Sequence, residues 1–449
     1  MSRRTVLYIC HNHPSVRPGG AENYAYELFD VMQGSPDYDA VFLAKGGAPL
    51  GYSGRTHEGT VVAPVGRRDN DYFFYTDGYH YDWLLGTLTD KDFYTFHLRK
   101  FLLAIKPDVV HFQHTIFLGY DVLREVRNTL PDAAIVYTLH EYAPICHRDG
   151  QLLRTRDNQP CLDPSPRHCH ECFPDVSPQT FFMRERFIKS HLALVDRFVA
   201  PSAFLRERYI EWGIPAEQIV FEENGRHFDV VPAATSPRRH RDRFAFFGQL
   251  NPFKGIDVLL DAMRLSSEST SKPQGRRSFL HLDDTDDDAP SPHLWVHGAN
   301  LELRDQAYQD RFNEKLTAAR DSVTMVGRYE QAQLPRLMAG VDWVVIPSVW
   351  FENSPLVIQE AFFHGRPVIC SDIGGMAEKV TDGADGLHFR ARDAHHLADV
   401  ITRAASQPGL WDTLREGIRP VHTLARHAEN LCELYDELLH VRLGVASVR

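Results

Sequence analysis

Short apolar, β-branched runs alternate with helix-spaced apolar residues along most of this 449-residue chain, and they do so in two series. The first series predicts strands at residues 5–10, 109–112, 134–139, 197–200 and 220–222. The second predicts strands at 244–247, 294–297, 323–326, 343–346 and 368–370, with helices at 255–263, 331–339 and 356–364. Strand–helix alternation predicts α/β domains with parallel sheets covered on both faces. Two series predict two Rossmann-like domains with a cleft between them, where ligands bind beyond the carboxyl ends of the strands.

The domain boundaries follow from composition. A stretch at 232–243 that contains Pro, Ser and several Arg separates the two series, so we expect an N-terminal domain over 1–235 and a C-terminal domain over 236–420. The remaining residues, 421–449, have apolar residues at helical spacing and predict one helix. Residues 266–292, rich in Ser, Pro and Asp, predict a solvated insert. A cation site is the alternative, but the glycine and distal glutamate of an EF-hand loop are missing.

Charge and hydropathy argue against several classes of protein. A net charge of −11 argues against broad nucleic-acid binding. No run approaches the roughly 18 apolar residues of a membrane span, so we expect at most peripheral membrane association. The first residues do not resemble a secretory signal, and the seven cysteines are an odd number. Both features favour a reducing, cytoplasmic location.

The segment 347–360, PSVWFENSPLVIQE, follows a predicted strand and opens a predicted helix. Ser354 and Pro355 suit the N-cap and the first helical position. The free N–H groups at such a helix start form a site for an anion such as a diphosphate. Glu352 before the helix and Glu360 within it can hold hydroxyl groups on either side of that anion. The alternative is that they complement the helix dipole and face solvent.

Glycine-containing loops follow three other predicted strands. Gly19-Gly20 comes after strand 5–10, Gly374-Gly375 follows strand 368–370, and the loop 248–255 contains Lys254. Glycine permits close approach of the backbone to a ligand, and lysine can neutralise a leaving phosphate. Plain tight turns and a surface lysine are the alternatives for each loop taken alone.

Together with Thr138-Leu139-His140-Glu141, these motifs resemble glycosyltransferase family 4, a family of retaining enzymes that use nucleotide sugars and have the GT-B fold. The order and spacing agree over nearly the whole chain, and the Glu-x7-Glu pair is the most specific part. The resemblance implies two Rossmann-like domains facing each other across a cleft. It also implies a C-terminal helix that crosses back to the N-terminal domain.

The resemblance implies roles for individual residues. His140 would lie by the donor sugar and its anomeric centre, Glu352 would hold the sugar hydroxyls, and Lys254 would bind the diphosphate; these three form the catalytic set. Glu360 would hold the ribose hydroxyls. The implied donor-binding set is Gly19, Gly20, Gln249, Lys254, Arg328, Ser354, Pro355, Leu356, Val357 and Glu360.

One position departs from the family pattern. Gln249 stands where many relatives have Arg, and a neutral amide does not replace the charge of a guanidinium. Either a nearby arginine such as Arg226 or Arg328 substitutes, or the leaving group is stabilised less.

The mechanism that the resemblance favours has no enzymatic nucleophile, because the carboxylates are assigned to hydroxyl binding. We therefore favour front-face attack over the two-step route, with the leaving phosphate accepting the acceptor's proton. No cofactor is expected to be required for catalysis, since helix N-termini and Lys254 would do what a metal does elsewhere.

Two segments stand outside these motifs. Cys146, Cys161, Cys169 and Cys172 fit a tetrahedral zinc site, which would be structural because protein fills all four positions. Free thiols, or disulfides in a secreted form, are the alternative. The aromatic residues of segment 72–101 suit either an acceptor site, where sugars stack on rings, or core packing.

The sequence therefore predicts a retaining glycosyltransferase of the hexosyltransferase type. The donor would be a nucleoside-diphosphate sugar, with UDP favoured and GDP possible. The acceptor would be a saccharide, a lipid-linked sugar or a small molecule. The alternatives are another GT-B activity, an epimerase or a phosphorylase, and a non-catalytic sugar-nucleotide-binding protein, which Gln249 motivates.

Overall fold

The computed structural model describes residues 3–47, 62–66, 68–76, 81–228, 240–270 and 290–446. The chain divides into two compact units, one of Met1–His227 with His422–Arg449 and one of Phe228–Val421. The predicted boundary at 235/236 and the acidic part of the predicted insert lie outside the described residues. Residues 266–270, which were predicted to begin that insert, instead continue a helix.

Ten strands form the sheets of the first unit's described residues: β1 (Arg4–Cys10), β2 (Tyr38–Gly47), β3 (Val62–Pro64), β4 (Asp71–Tyr75), β5 (Tyr81–Asp82), β6 (Thr87–Leu88), β7 (Val109–Phe112), β8 (Ala134–Thr138), β9 (Arg197–Ala200) and β10 (Ile219–Phe221). Eight of them form one sheet in the order β10-β9-β8-β7-β1-β2-β4-β3, in which only β3 and β4 pair antiparallel. The strands β5 and β6 form a separate hairpin. The carboxyl ends of β1, β7 and β8 therefore lie side by side.

Six helices connect these strands in the described residues of the first unit: α1 (Gly20–Met32), α2 (Arg99–Ile105), α3 (Asp121–Thr129), α4 (Pro166–Cys172), α5 (Pro178–Leu192) and α6 (Ala203–Trp212). A π-helix over Phe93–Leu98 precedes α2. The core strand residues Val6 and Tyr8 are fully buried against α1. Burial on both faces explains why β1 is a continuous apolar run.

The second unit has an all-parallel six-stranded sheet. Its strands are β11 (Arg243–Gln249), β12 (His293–Ala299), β13 (Val323–Met325), β14 (Trp343–Ile346), β15 (Val368–Ser371) and β16 (Gly386–Phe389). Its helices are α7 (Ile256–Thr270), α8 (Gln306–Ala318), α9 (Leu334–Ala339), α10 (Leu356–Phe363), α11 (Gly374–Lys379), α12 (Ala394–Ser406) and α13 (Leu410–Gly417). The order β13-β12-β11-β14-β15-β16 makes β11, β14 and β15 neighbours.

The last helix, α14 (Leu424–Ala446), belongs to the first unit, as the resemblance implied. It packs on α1 and β8 through the apolar residues whose spacing in the sequence predicted a helix, among them Leu431 and Tyr435. The hydroxyl of Tyr435 also lies 2.6 Å from Nδ1 of His111 on β7. Within the described part of the chain, no helix is both long and apolar enough to cross a membrane.

The sequence predicted most strands to within two residues, but it missed some elements. The strands β2 to β6 and β16 were not predicted, and no ranges were predicted for helices α2 to α6, α8 and α11 to α13. The predicted helix 331–339 is a 3-10 turn, Gln331–Gln333, followed by α9. Pro335 explains this break, because proline lacks an N–H and is tolerated only in the first turn of an α-helix.

Candidate active site

Three predicted loops meet at the carboxyl edge of the second unit's sheet, because they follow the neighbouring strands β11, β14 and β15. Gly255 has φ +68°, and a Cβ there would overlap the carbonyl oxygen of Pro347. A Cβ on Gly375 would likewise overlap the carbonyl oxygen of Asn353. The N–H of Gly375 also donates to the carbonyl of Glu352 at 2.8 Å. These two glycines therefore let the three loops pack backbone against backbone.

This packing brings two of the predicted catalytic residues into direct contact. The Lys254 ammonium lies 2.5 Å from Oε1 of Glu352, which is buried. Ser348 Oγ and Trp350 Nε1 donate to the same oxygen at 2.7 and 3.0 Å. Three donors on one oxygen hold the carboxylate in one orientation. Sequence reasoning missed Ser348 and Trp350, although both lie in the segment 347–360 that it singled out.

The start of α10 differs from the sequence prediction. Ser354 was predicted as the N-cap, but that prediction is wrong: Pro355 is the N-cap and the helix begins at Leu356. The extended backbone of Pro355 takes the cap position, and no side chain caps the helix. The hydroxyl of Ser354 is instead buried without a hydrogen-bond partner in the described residues. A helix start of this kind favours an anion, because its first N–H groups have no partner within the helix.

Three further predicted donor-binding residues, Leu356, Val357 and Glu360, lie on α10. Val357 follows Leu356 in its first turn, and Glu360 is buried within it. Oε1 of Glu360 accepts a hydrogen bond from Nε2 of Gln331 at 3.1 Å, a partner that sequence reasoning missed. Local periodicity gives no signal for this pair, because the two residues come from different segments.

Neither proposed arginine joins the Lys254–Glu352 pair. Gln249 is exposed at the end of β11. Arg328 is exposed, donates to Asn300 at 2.9 Å and pairs with Glu302. Arg226 belongs to the first unit and pairs there with Glu27. Among described residues, Lys254 is therefore the cation that contacts the Glu352 carboxylate.

The first unit places His140 just beyond the carboxyl end of β8. Its Nε2 lies 3.0 Å from the amide oxygen of Gln113, so the imidazole donates a proton there. Gln113 follows β7, the neighbouring strand, and sequence reasoning missed it although strand ends in parallel sheets carry ligand-binding residues. Burial, together with the nearby histidines His114 and His11, lowers the pKa of His140 to about 3. The imidazole is therefore neutral at physiological pH.

Gly19 and Gly20 form the start of α1 in the same unit. Gly19 is the N-cap, no side chain caps the helix, and a Cβ on Gly20 would meet no atom within 4 Å. The carboxylate of Glu22, in the first turn, lies next to Gly19, and its Oε1 is 2.9 Å from Nε2 of His11. Glu22 and His11 were not among the predicted site residues.

The four clustered cysteines also lie in the first unit. Burial raises the pKa of Cys169 to about 12, and the nearby thiols of Cys146, Cys161 and Cys172 raise it too. All seven cysteines lie in the described part of the chain, and all are free thiols. No three of these four sulfurs lie within 4.8 Å of one another. The donor set thus suits zinc chemically, but the sulfurs are not gathered into a coordination cage.

Comparisons with known proteins identify the family. Residues 18–228 match the family model described as Glycosyltransferase Family 4, and residues 241–407 match the one described as Glycosyl transferases group 1. The chain belongs to the family 4 glycosyltransferases. The two matched regions fall in the first and second units respectively.

Similar proteins support the same assignment. The D-inositol 3-phosphate glycosyltransferase of Nocardia farcinica is 28% identical over 294 residues, 59% of this chain. The chain spans 59% of that relative's length. Sucrose-phosphate synthase from Thermosynechococcus elongatus aligns with a TM-score of 0.68 at 18% identity, covering 98% of this chain and 100% of that one. The Anabaena protein HepE, in complex with UDP and glucose, aligns with a TM-score of 0.56 at 18% identity and 99% coverage of both chains. These structures show the shared fold, GT-B.

Proposed function

We propose that this protein transfers a sugar, with retention, from a nucleoside-diphosphate sugar to a saccharide, lipid-linked or small-molecule acceptor. The observation that carries the proposal is the Lys254–Glu352 pair beside the uncapped start of α10. A cation and free helix N–H groups suit a diphosphate, and a carboxylate suits sugar hydroxyls. UDP is the proposed nucleotide because the structural neighbour HepE was solved with UDP and glucose, and GDP is the second choice.

The hydrogen bonds that Glu352 and Glu360 accept support retention without a protein nucleophile. Oε1 of Glu352 accepts from Lys254, Ser348 and Trp350, and Oε1 of Glu360 accepts from Gln331. Carboxylates held in this way suit hydroxyl binding. The proton of the attacking hydroxyl would pass to the leaving phosphate oxygen, whose negative charge Lys254 stabilises.

The proposed function can be tested by ligand-dependent stability. A ligand that binds only the folded state raises the melting temperature, and the rise grows with ligand concentration. We expect UDP, UDP-glucose or the GDP equivalents to raise the Tm, and uridine to raise it less. If no nucleoside diphosphate or nucleotide sugar changes the Tm, the proposal fails. Inversion at the anomeric carbon of the product, seen by NMR, would contradict retention.

Replacing Glu360 by alanine is expected to weaken the binding of UDP. The loss of charge-assisted hydrogen bonds to the ribose costs about 1.5–3 kcal/mol, or about 10- to 150-fold in Kd. Calorimetric titration of UDP measures it. Glu268→Ala is the matched control, because Glu268 is an exposed glutamate that pairs with Arg264 on α7. An unchanged Kd for Glu360→Ala would remove Glu360 from the site.

We also propose that the enzyme is cytoplasmic, since all its thiols are free. A second proposal is that the four clustered cysteines bind one structural zinc ion per chain. Zinc would draw the sulfurs together and release their protons, because only thiolates ligate the metal. Elemental analysis of protein purified without chelator should find about one zinc per chain, and Cys161→Ser and Cys169→Ser should lower it. Cys370→Ser is the control, since Cys370 is buried in the second unit. Zinc below about a tenth per chain in the unsubstituted protein would exclude the site.

A further inference from the structure

A pocket in the first unit lies between the two segments that the family motifs leave unexplained. Its walls include Tyr81 and Trp83 from the aromatic segment and Cys146 and Asp149 from the cysteine-rich segment. Its volume is about 140 Å³, roughly ten times the ~10–15 Å³ that one water molecule needs. The pocket is therefore large enough to hold part of an organic ligand.

The position of the pocket connects it with the predicted catalytic histidine. Glu141, the residue after His140, lines it, and so does Thr115, which follows β7 by three residues. Both belong to loops at the carboxyl edge of the sheet, where ligands of parallel sheets bind. The pocket thus shares an edge of the sheet with His140.

Trp83 is presented by a rigid turn. It lies between β5 and β6, where Oδ1 of Asp82 accepts hydrogen bonds from the N–H groups of Leu84 and Leu85 at 2.8 and 3.0 Å. The indole contacts the rings of Tyr81 and Phe117 edge-on, at centroid distances of 4.9 and 5.6 Å. Even so, it remains 54% exposed. A large, half-exposed aromatic ring in the lining of this pocket suits stacking on the apolar face of a sugar.

Arg184, from α5, holds both walls of the pocket together. Its Nε donates to the carbonyl of Leu84 at 2.8 Å, and its two terminal nitrogens donate to the carbonyls of Pro144 and Ala143 at 2.9 and 2.6 Å. The side chain is buried. Because the guanidinium is engaged with three backbone carbonyls, it fixes the shape of the pocket rather than presenting an open fork to an anion.

The remaining polar groups of the pocket favour hydroxyl donors. Glu141 accepts from His114 at 3.2 Å and from the N–H of Ala143, two of about four positions that a carboxylate offers. Asp149 is an exposed carboxylate. Two carboxylates accept hydroxyl protons, and because they outnumber the one guanidinium of the lining, Arg184, they disfavour anions.

We propose that this pocket is the acceptor site and that it binds a neutral sugar ring, which stacks on Trp83 and donates hydroxyl hydrogen bonds to Glu141 and Asp149. The inference rests on the proposed transfer reaction and names its acceptor class. Phosphorylated or acidic sugars are excluded by the two carboxylates.

Saturation-transfer NMR with free sugars tests the site without any donor. The probes are methyl α-glucoside, maltose, N-acetylglucosamine and myo-inositol, against glucose 6-phosphate and glucuronate. We expect at least one neutral probe to bind. Trp83→Ala should abolish its signal, and Phe182→Ala should not, because Phe182 is an equally exposed aromatic (53%) on α5 outside this pocket. Asp149→Asn should reduce the discrimination against glucose 6-phosphate.

Kinetics separate this inference from the proposed function. With an acceptor that the enzyme glycosylates, Trp83→Ala should raise the KM of that acceptor about 2- to 12-fold and leave the Kd of UDP unchanged. Three results would overturn the acceptor pocket alone. UDP binds but no neutral probe does, the acidic sugars bind more tightly than the neutral ones, or Trp83→Ala and Phe182→Ala give equal signals. Failure of UDP to bind would instead overturn the proposed function.

Discussion

Replacing His140 by alanine is expected to lower sugar transfer by about 100-fold or more, the scale of a lost electrostatic partner at a reacting centre. The proposed role of the imidazole is to stabilise charge on the donor sugar from a fixed position, with its Nε2–H directed to Gln113. The Kd of UDP should stay close to that of the unsubstituted enzyme, because the proposed contact is to the sugar. The measurement is the initial rate of transfer, alongside a UDP titration.

His440→Ala is the control for this substitution. His440 is an exposed histidine on α14 whose Nδ1 lies 2.7 Å from the carbonyl oxygen of Asp436. Its loss should leave transfer unchanged. Full activity of His140→Ala would move the catalytic role to another residue.

The lowered pKa of His140 gives this substitution a pH signature. The pKa is about 3 in the folded protein and about 6.5 for a free histidine. The unfolded chain thus binds one more proton than the folded chain between these values, and stability is lost as the pH falls from about 6.5 to about 3. Chemical denaturation across this range should show His140→Ala losing less stability than the unsubstituted protein. The rate profile should show no ionisation of His140 near pH 6.5.

Replacing Lys254 by alanine is expected to lower kcat/KM by about 100- to 1000-fold, as the removal of one preorganised group that stabilises developing charge does. Lys254 is the cation next to Glu352, and Gln249 supplies no charge nearby. The binding of UDP should weaken, whereas the binding of uridine should not, because the proposed contact is to the diphosphate. Titrations with both ligands and steady-state kinetics measure these effects.

Lys315→Ala serves as the matched control. Lys315 pairs with Asp261 on the same unit, and such partly exposed ion pairs contribute only about 0–1 kcal/mol. This variant should keep full activity. Equal weakening of uridine and UDP by Lys254→Ala would show that the substitution disturbs the loop rather than the phosphate contact.

Much of the architecture could be predicted because buried parallel strands leave a local signal. The strands 109–112, 197–200 and 343–346 were predicted to the residue, since these strands are largely buried and apolar residues dominate their sequences. The strand β4 was not predicted, because its residues DYFFY form part of an aromatic segment that also suits core packing. Aromatic residues in a short run do not by themselves distinguish a strand from a loop.

The candidate site could be predicted only in part. The loop motifs predicted Lys254 and Glu352 as site residues. Their contact could not be predicted from local sequence, because the two residues are 98 positions apart. That contact depends on the adjacency of β11 and β14 and on the close packing allowed by Gly255. Ser354 was misassigned because Ser before Pro suits an N-cap, and the backbone placed Pro355 there instead.

The sequence by itself determined the family, the two α/β units, and the loops that carry His140, Lys254 and the glutamates, because periodicity and turn chemistry reside in neighbouring residues. The tertiary structure alone decided which side chains meet: Gln113 with His140, Gln331 with Glu360, and the walls of the pocket at Trp83. The physical reason is that strand order and loop packing set these contacts. Neither is written in the local pattern of residues on one strand or helix.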